Sequence, residues 1–161
     1  MEATLQVPTT EERKIAVLAH ASILLTFLVS VTTGGLGVLA VMLVPLFIWF
    51  YYRDRSAYVA YHALQAMAYQ AALLVLFLAL TLALGLVLAT AWLITGLLSI
   101  ILVGLILVPV AGVLTLLAGL VLAAFPLVGL AYGLVAAWEV YNERDFRYRW
   151  LADWLETRQL T

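Results

Sequence analysis

From Ala57 to Trp138 the chain carries no formal charge. Nothing else in the sequence limits its folding so strongly. Uncharged apolar runs longer than about 18 residues read as membrane spans, and this run is several times that length. Composition agrees: 66% of the 161 residues are hydrophobic, only 11% are charged, and the mean hydropathy is +1.13. A soluble domain carries about 25% charged residues to face water. The expected fold class is therefore an all-α integral membrane protein.

Other classes fall away on the same grounds. A net charge of −1 gives no basic field for nucleic acid. Without cysteine there is no disulfide, thiolate metal site or thiol nucleophile. The N-terminal stretch MEATLQVPTTEERK mixes charges, and no small-x-small site follows the first apolar run, so that run reads as a retained span.

The first span is expected to start after Glu11-Glu12-Arg13-Lys14 and to run to about Val31, capped by Thr9 or Thr10, with Glu11 and Glu12 at the positive end of the helix dipole. Thr32-Thr33-Gly34-Gly35 reads as a tight turn. The second span, about Leu36 to Tyr52, contains Pro45 and ends in the aromatic cluster Trp49 to Tyr52, suited to the headgroup level. Arg53-Asp54-Arg55-Ser56 forms a short charged loop. Within the long run, breaks are expected at Gly85, near Gly96 and Ser99, at Pro109 to Gly112, and at Pro126.

Arginine and lysine occur only at 13–14, 53–55 and 144–158. The positive-inside rule places all three clusters in the cytoplasm if an even number of spans lies between Ala57 and Trp138. Two spans there leave a surplus apolar segment, about 86–111. It can lengthen the two helices or form a re-entrant or interfacial hairpin. The preferred reading is a four-helix transmembrane core with this extra segment; five or six spans are the alternatives. The expected division is a polar tail at 1–11, a transmembrane domain at 12–141 and an amphipathic cytoplasmic segment at 142–161. Both termini are then cytoplasmic in a multi-pass protein of the inner membrane.

Tyr58, His62, Gln65 and Tyr69 follow i, i+4, i+7, i+11, one face of a helix. Ala72 extends the stripe and Ala68 adjoins it. Gln70 falls off this face. The only other histidine, His20, lies seven residues after Arg13, as His62 lies seven after Arg55. Both rings are thus expected about 10 Å inside their flanking charges, facing each other at equal depth. Three roles compete for this seam: a structural hydrogen-bond clamp, a functional polar or ligand site, and a metal or haem site. The clamp is preferred, because two histidines without a nearby carboxylate or thiol make a poor metal set. No metal or cofactor is expected.

Gly129 and Gly133 form a GxxxG pair, continued by Ala136 and Ala137, for helix packing inside the chain or between copies. Trp150, Leu151, Trp154 and Leu155 recur on one face of a short amphipathic C-terminal helix, expected to lie on the cytoplasmic leaflet with Arg147 and Arg149 as further interfacial anchors, or else to dock a partner or subunit. No HExxH motif and no buried acid pair point to catalysis, and Ser22, Ser30 and Ser99 show no oriented base that would make one of them a nucleophile. Polar side chains between Ala71 and Val135 are too few for one chain to line an aqueous pore, so a channel would need several copies or a partner.

Several short motifs occur together: Glu12-Arg13 with Ala19-His20, Pro45 to Trp49 with Arg53-Asp54-Arg55, His62-Ala63-Leu64-Gln65-Ala66, and Ala136-Ala137 before Phe146-Arg147-Tyr148. In these the chain resembles a bacterial membrane-protein family of unknown function related to the Tic-twenty type of chloroplast import component. It departs from that pattern at Glu143, where the family often has Gly, at Arg149, where it has Pro, and in the surplus segment. The resemblance implies a four-helix core with both ends in the cytoplasm.

The expected function is a small non-catalytic subunit or accessory factor of a membrane assembly. Its partners would be the lipid bilayer, a second copy of the chain or a larger complex. The alternatives are a transporter, channel or translocation component, and a histidine-ligated cofactor protein.

Overall fold

The computed structural model describes residues 7–144 and 146–148. Among these the protein is all helical, with α1 (Thr10–Thr32), α2 (Val38–Tyr52), α3 (Ala57–Ser99) and α4 (Val103–Tyr141). α1, α3 and α4 are each long and apolar enough to cross a membrane; α2 is a shorter apolar helix of 15 residues. The chain forms two compact units, one of residues 1–72 with 129–161 and one of Leu73–Val128.

In the first unit local chemistry sets the helix ends. Thr9 caps α1: its hydroxyl accepts the Glu12 N–H (3.2 Å), and the Glu12 carboxylate accepts the Thr9 N–H (2.8 Å). This reciprocal box satisfies two donors that a helix start leaves free. α1 stops where Gly34 (φ 61°) and Gly35 (φ 90°) turn left-handed, and the Gly35 N–H closes on the Ser30 carbonyl at 2.7 Å. Side chains with a Cβ rarely adopt that backbone. Ser56 caps α3 by accepting the Val59 N–H (3.3 Å).

α4 ends with two bonds, from the Arg144 N–H to the Glu139 carbonyl (3.0 Å) and from the Glu143 N–H to the Val140 carbonyl (3.3 Å). This is a Schellman closure. Glu143 takes its left-handed position (φ 63°), which glycine fills at least cost. Its carboxylate pairs with Arg13 of α1. The unit's small-residue core joins Ala19 of α1 to Ala63 and Ala66 of α3, with Ile48 and Trp49 of α2 packed against them.

The second unit is a helical hairpin, turned at 100–102 with Leu102 at φ 67°. A Cβ on Gly104 would collide with the Thr95 carbonyl and Ser99, so glycine permits the close approach beside the turn. The Trp92 indole donates to the Thr115 hydroxyl (3.0 Å). The hydroxyls of Thr81, Thr90, Ser99 and Thr115 each donate to a carbonyl four residues earlier in their own helix. These hydroxyls are therefore served by their own helices. Leucine, valine and isoleucine cover the outside, with Leu116 71% exposed, as lipid requires.

The surplus segment 86–111 lengthens both helices, giving 43 residues in α3 and 39 in α4. Both far exceed the about 20 residues of one crossing. Of the expected breaks, only the one near Ser99 occurs. The helices continue through Gly85, Pro109, Gly112 and Pro126. Away from water an interrupted helix exposes backbone groups that nothing can satisfy, so glycine and proline are carried within the helix. Two helices between Ala57 and Trp138 make the even number that the charge pattern asks for.

Candidate functional site

The buried residues of α1 are Ala16, Ala19, His20, Ser22, Ile23 and Thr26, which recur at helical spacing along one face. Opposite them, α3 buries Val59, His62, Ala63, Gln65, Ala66, Tyr69 and Gln70. The alanines let the helices approach closely, and the longer polar side chains then meet across the gap.

The structure brings His20 and His62 together. His20 Nε2 lies 3.2 Å from His62 Nδ1, and the rings meet edge to face with centroids 5.4 Å apart. The other nitrogen of His20, Nδ1, lies 3.4 Å from the Tyr148 hydroxyl. Both ring nitrogens of His20 therefore have partners inside the chain. Tyr58 sits against the other histidine, its centroid 4.6 Å from that of His62.

Gln65 is fully buried. Its Oε1 accepts the backbone N–H of Tyr148 at 3.4 Å, while its Nε2 has no hydrogen-bond partner among the described residues. Tyr69 donates its hydroxyl to the Gly129 carbonyl of α4 (2.9 Å), and its ring stacks on Tyr148 at 4.2 Å and 10°. Tyr132 and Phe146 close the aromatic cluster around Tyr148, at 5.6 and 4.9 Å. Burial, aided by the neighbouring phenols, pushes the Tyr148 hydroxyl well above the usual tyrosine range, so it stays a neutral group.

A second set of bonds joins the same two helices. Thr26 donates to Gln70 Oε1 (2.9 Å), Gln70 Nε2 donates to Ser22 Oγ (2.9 Å), and the Ser22 hydroxyl donates to the Ala19 carbonyl (2.7 Å). Gln70, which lies off the His62 face, thus finds its neighbours on α1.

Gly129 and Gly133 are buried. A Cβ on Gly133 would press on Ile23 of α1 at 2.8 Å, so this glycine serves packing inside the chain. Ala68 and Ala72 are half-buried. Arg147 is exposed, its guanidinium 6.0 Å from the Tyr61 ring. Arg149, Trp150 and Trp154, and with them the expected amphipathic helix, lie outside the described residues.

Sequence reasoning misses Tyr148 and Phe146 as members of the seam. They stand in the Phe-Arg-Tyr motif behind the family resemblance, the one signal that points to them. Ser22 is a link in the Gln70 bonds.

Chemically, the arrangement is a hydrogen-bonded contact that joins α1, α3 and the segment after α4. Among the described residues no group of three or more His, Asp or Glu side chains gathers where it could hold a metal ion.

A family model, described as the magnetosome magnetite crystal formation protein family (MamF/MmsF), matches residues 11–155. It replaces the Tic-twenty type as the family that the chain matches; no comparison supports a relation to the import component. No curated protein and no solved structure gives a significant match.

Proposed function

The chain belongs to the magnetosome magnetite crystal formation protein family, and from that premise we propose that it is a non-catalytic accessory subunit of a membrane within which magnetite crystals form. The observation that carries this reading is the engagement of both ring nitrogens of His20 by His62 and Tyr148. A histidine held on both sides by its own chain fixes how helices pack. It has no lone pair or proton turned toward a substrate.

The membrane in question derives from the inner membrane in this reading, with both termini on the cytoplasmic side. Three charge clusters and an even number of helices between Ala57 and Trp138 support that sidedness. The GxxxG pair is occupied within the chain, so contacts with other subunits would use the outward faces of the helices.

The test is removal of the protein from a magnetite-forming cell, with crystal size and number read by electron microscopy. Return of the wild-type chain should restore the crystals. Return of His62→Leu should restore them only as far as folded protein accumulates. Unchanged crystals after removal would reject the proposed role. A Soret band in the purified protein would move the reading to a haem-binding function, and conductance in planar bilayers to a channel.

A further inference from the structure

The end of α2 carries an arrangement that the proposed role leaves unused. Trp49, Phe50, Tyr51 and Tyr52 close the helix, and Arg53 and Arg55 follow at once. The guanidinium carbon of Arg55 sits 3.8 Å from the centre of the Tyr51 ring. That of Arg53 sits 4.6 Å from Phe50 and 5.8 Å from Trp49. A guanidinium seated over an aromatic ring is held by the ring's electron-rich face, while its N–H donors can still bind a planar or tetrahedral oxyanion.

The charges here are not used up. Arg55 has no carboxylate partner among the described residues. Among the described residues Arg53 gives only its Nε to Asp54 (3.3 Å), which leaves its two terminal nitrogens. The rings beneath are largely open: Phe50 is 61% and Tyr51 55% exposed. Exposed aromatic surface and unneutralised cations thus lie side by side at the end of an apolar helix. A free inorganic anion would use only the cations. A phospholipid uses both, its phosphate on the arginines and its glycerol and upper acyl carbons on the rings.

We propose that the turn between α2 and α3 is a binding site for an anionic phospholipid, with Arg53 and Arg55 holding the phosphate and Phe50 and Tyr51 the apolar shoulder. Two exposed arginines held on aromatic faces lose little side-chain freedom on binding. Each contributes near a negatively charged leaflet, while zwitterionic lipid presents a cancelling ammonium.

The test uses the whole chain in nanodiscs of mixed phosphatidylcholine and phosphatidylglycerol, with retained lipid counted by native mass spectrometry. Wild type should retain phosphatidylglycerol in clear excess over its share of the mixture. The excess should fall roughly five-fold for each arginine removed in Arg53→Gln and Arg55→Gln. Lys14→Gln, at an exposed cation outside the turn, should keep it. Each variant's thermal midpoint in pure phosphatidylcholine should equal that of wild type, as both arginines are exposed. Retention in proportion to the mixture would overturn the proposal, as would undiminished preference in the double variant. An equal loss in Lys14→Gln would overturn it in favour of diffuse surface charge. A rise in thermal midpoint with inorganic phosphate equal to that with the lipid would overturn it in favour of a free-anion site.

Discussion

At Gln65 the chain buries an amide whose oxygen has a partner and whose nitrogen has none among the described residues. A buried donor without a partner costs about 1–3 kcal/mol, and the bond on the other side is long. Gln65→Leu is therefore expected to change stability by less than about 1 kcal/mol, since the gain and the loss offset. A thermal or chemical unfolding midpoint in detergent checks this, and a large drop would mean that the amide nitrogen has a partner after all. Tyr148 behaves differently, because its ring fills the cluster of Tyr69, Tyr132 and Phe146. Removing the ring in Tyr148→Ala should cost about 3 kcal/mol or more, and removing only the hydroxyl in Tyr148→Phe about 1. The same hydroxyl predicts a pH effect. Its folded-state pKa is raised by burial, so its contribution is complete below the unfolded value of about 10 and is lost as pH rises above it. Alkaline destabilisation should be shallower in Tyr148→Phe than in wild type. The pairing of His20 with His62 is legible from two equal offsets to flanking arginines. The part played by Tyr148 is not, because it depends on the chain folding back after α4, and no periodicity within a helix records that reversal.

Helix ends in the first unit are readable wherever a backbone rule has a dedicated residue. Thr9 with Glu12 and the pair Gly34-Gly35 mark α1 at both ends. The long helices are harder. Rules for glycine and proline describe helices that can exchange a broken bond for water, and Gly85, Pro109 and Pro126 lie where that exchange is missing. The end of α4 is a case where the sequence spends stability. Glu143 occupies a left-handed position suited to glycine, and its bond to Arg13 is mostly solvent-exposed on the Glu143 side, which keeps such pairs weak. Glu143→Gly should therefore exceed Glu143→Ala in stability by about 1 kcal/mol, since both lose the pair and only glycine relieves the backbone. Equal midpoints for the two would show that the left-handed turn is absent in the membrane.

At the scale of the whole molecule, this is a helical protein with apolar faces suited to lipid, in which polar side chains of α1 and α3 bond to one another. Composition and the charge-free run are enough by themselves to make that class plain. The function is not legible in the same way, because the accessory role proposed here would leave no catalytic pattern behind, and the match over residues 11–155 supplies the family. The lipid-facing reading of the hairpin Leu73–Val128 predicts that Leu116→Lys, at an exposed apolar position, will sharply reduce insertion and yield, by a cost of about 2.5–3.5 kcal/mol at mid-membrane. Normal yield would instead mean that this face lines water. The central claim is that the His20–His62 pair is a structural clamp, and a double-mutant cycle tests it most directly. His20→Leu, His62→Leu and the double variant would be unfolded reversibly in one detergent. Each single change should be destabilising and the pair coupled by about 1 kcal/mol, the double costing less than the sum. Additive effects, or a His62→Leu protein as stable as wild type, would contradict the clamp.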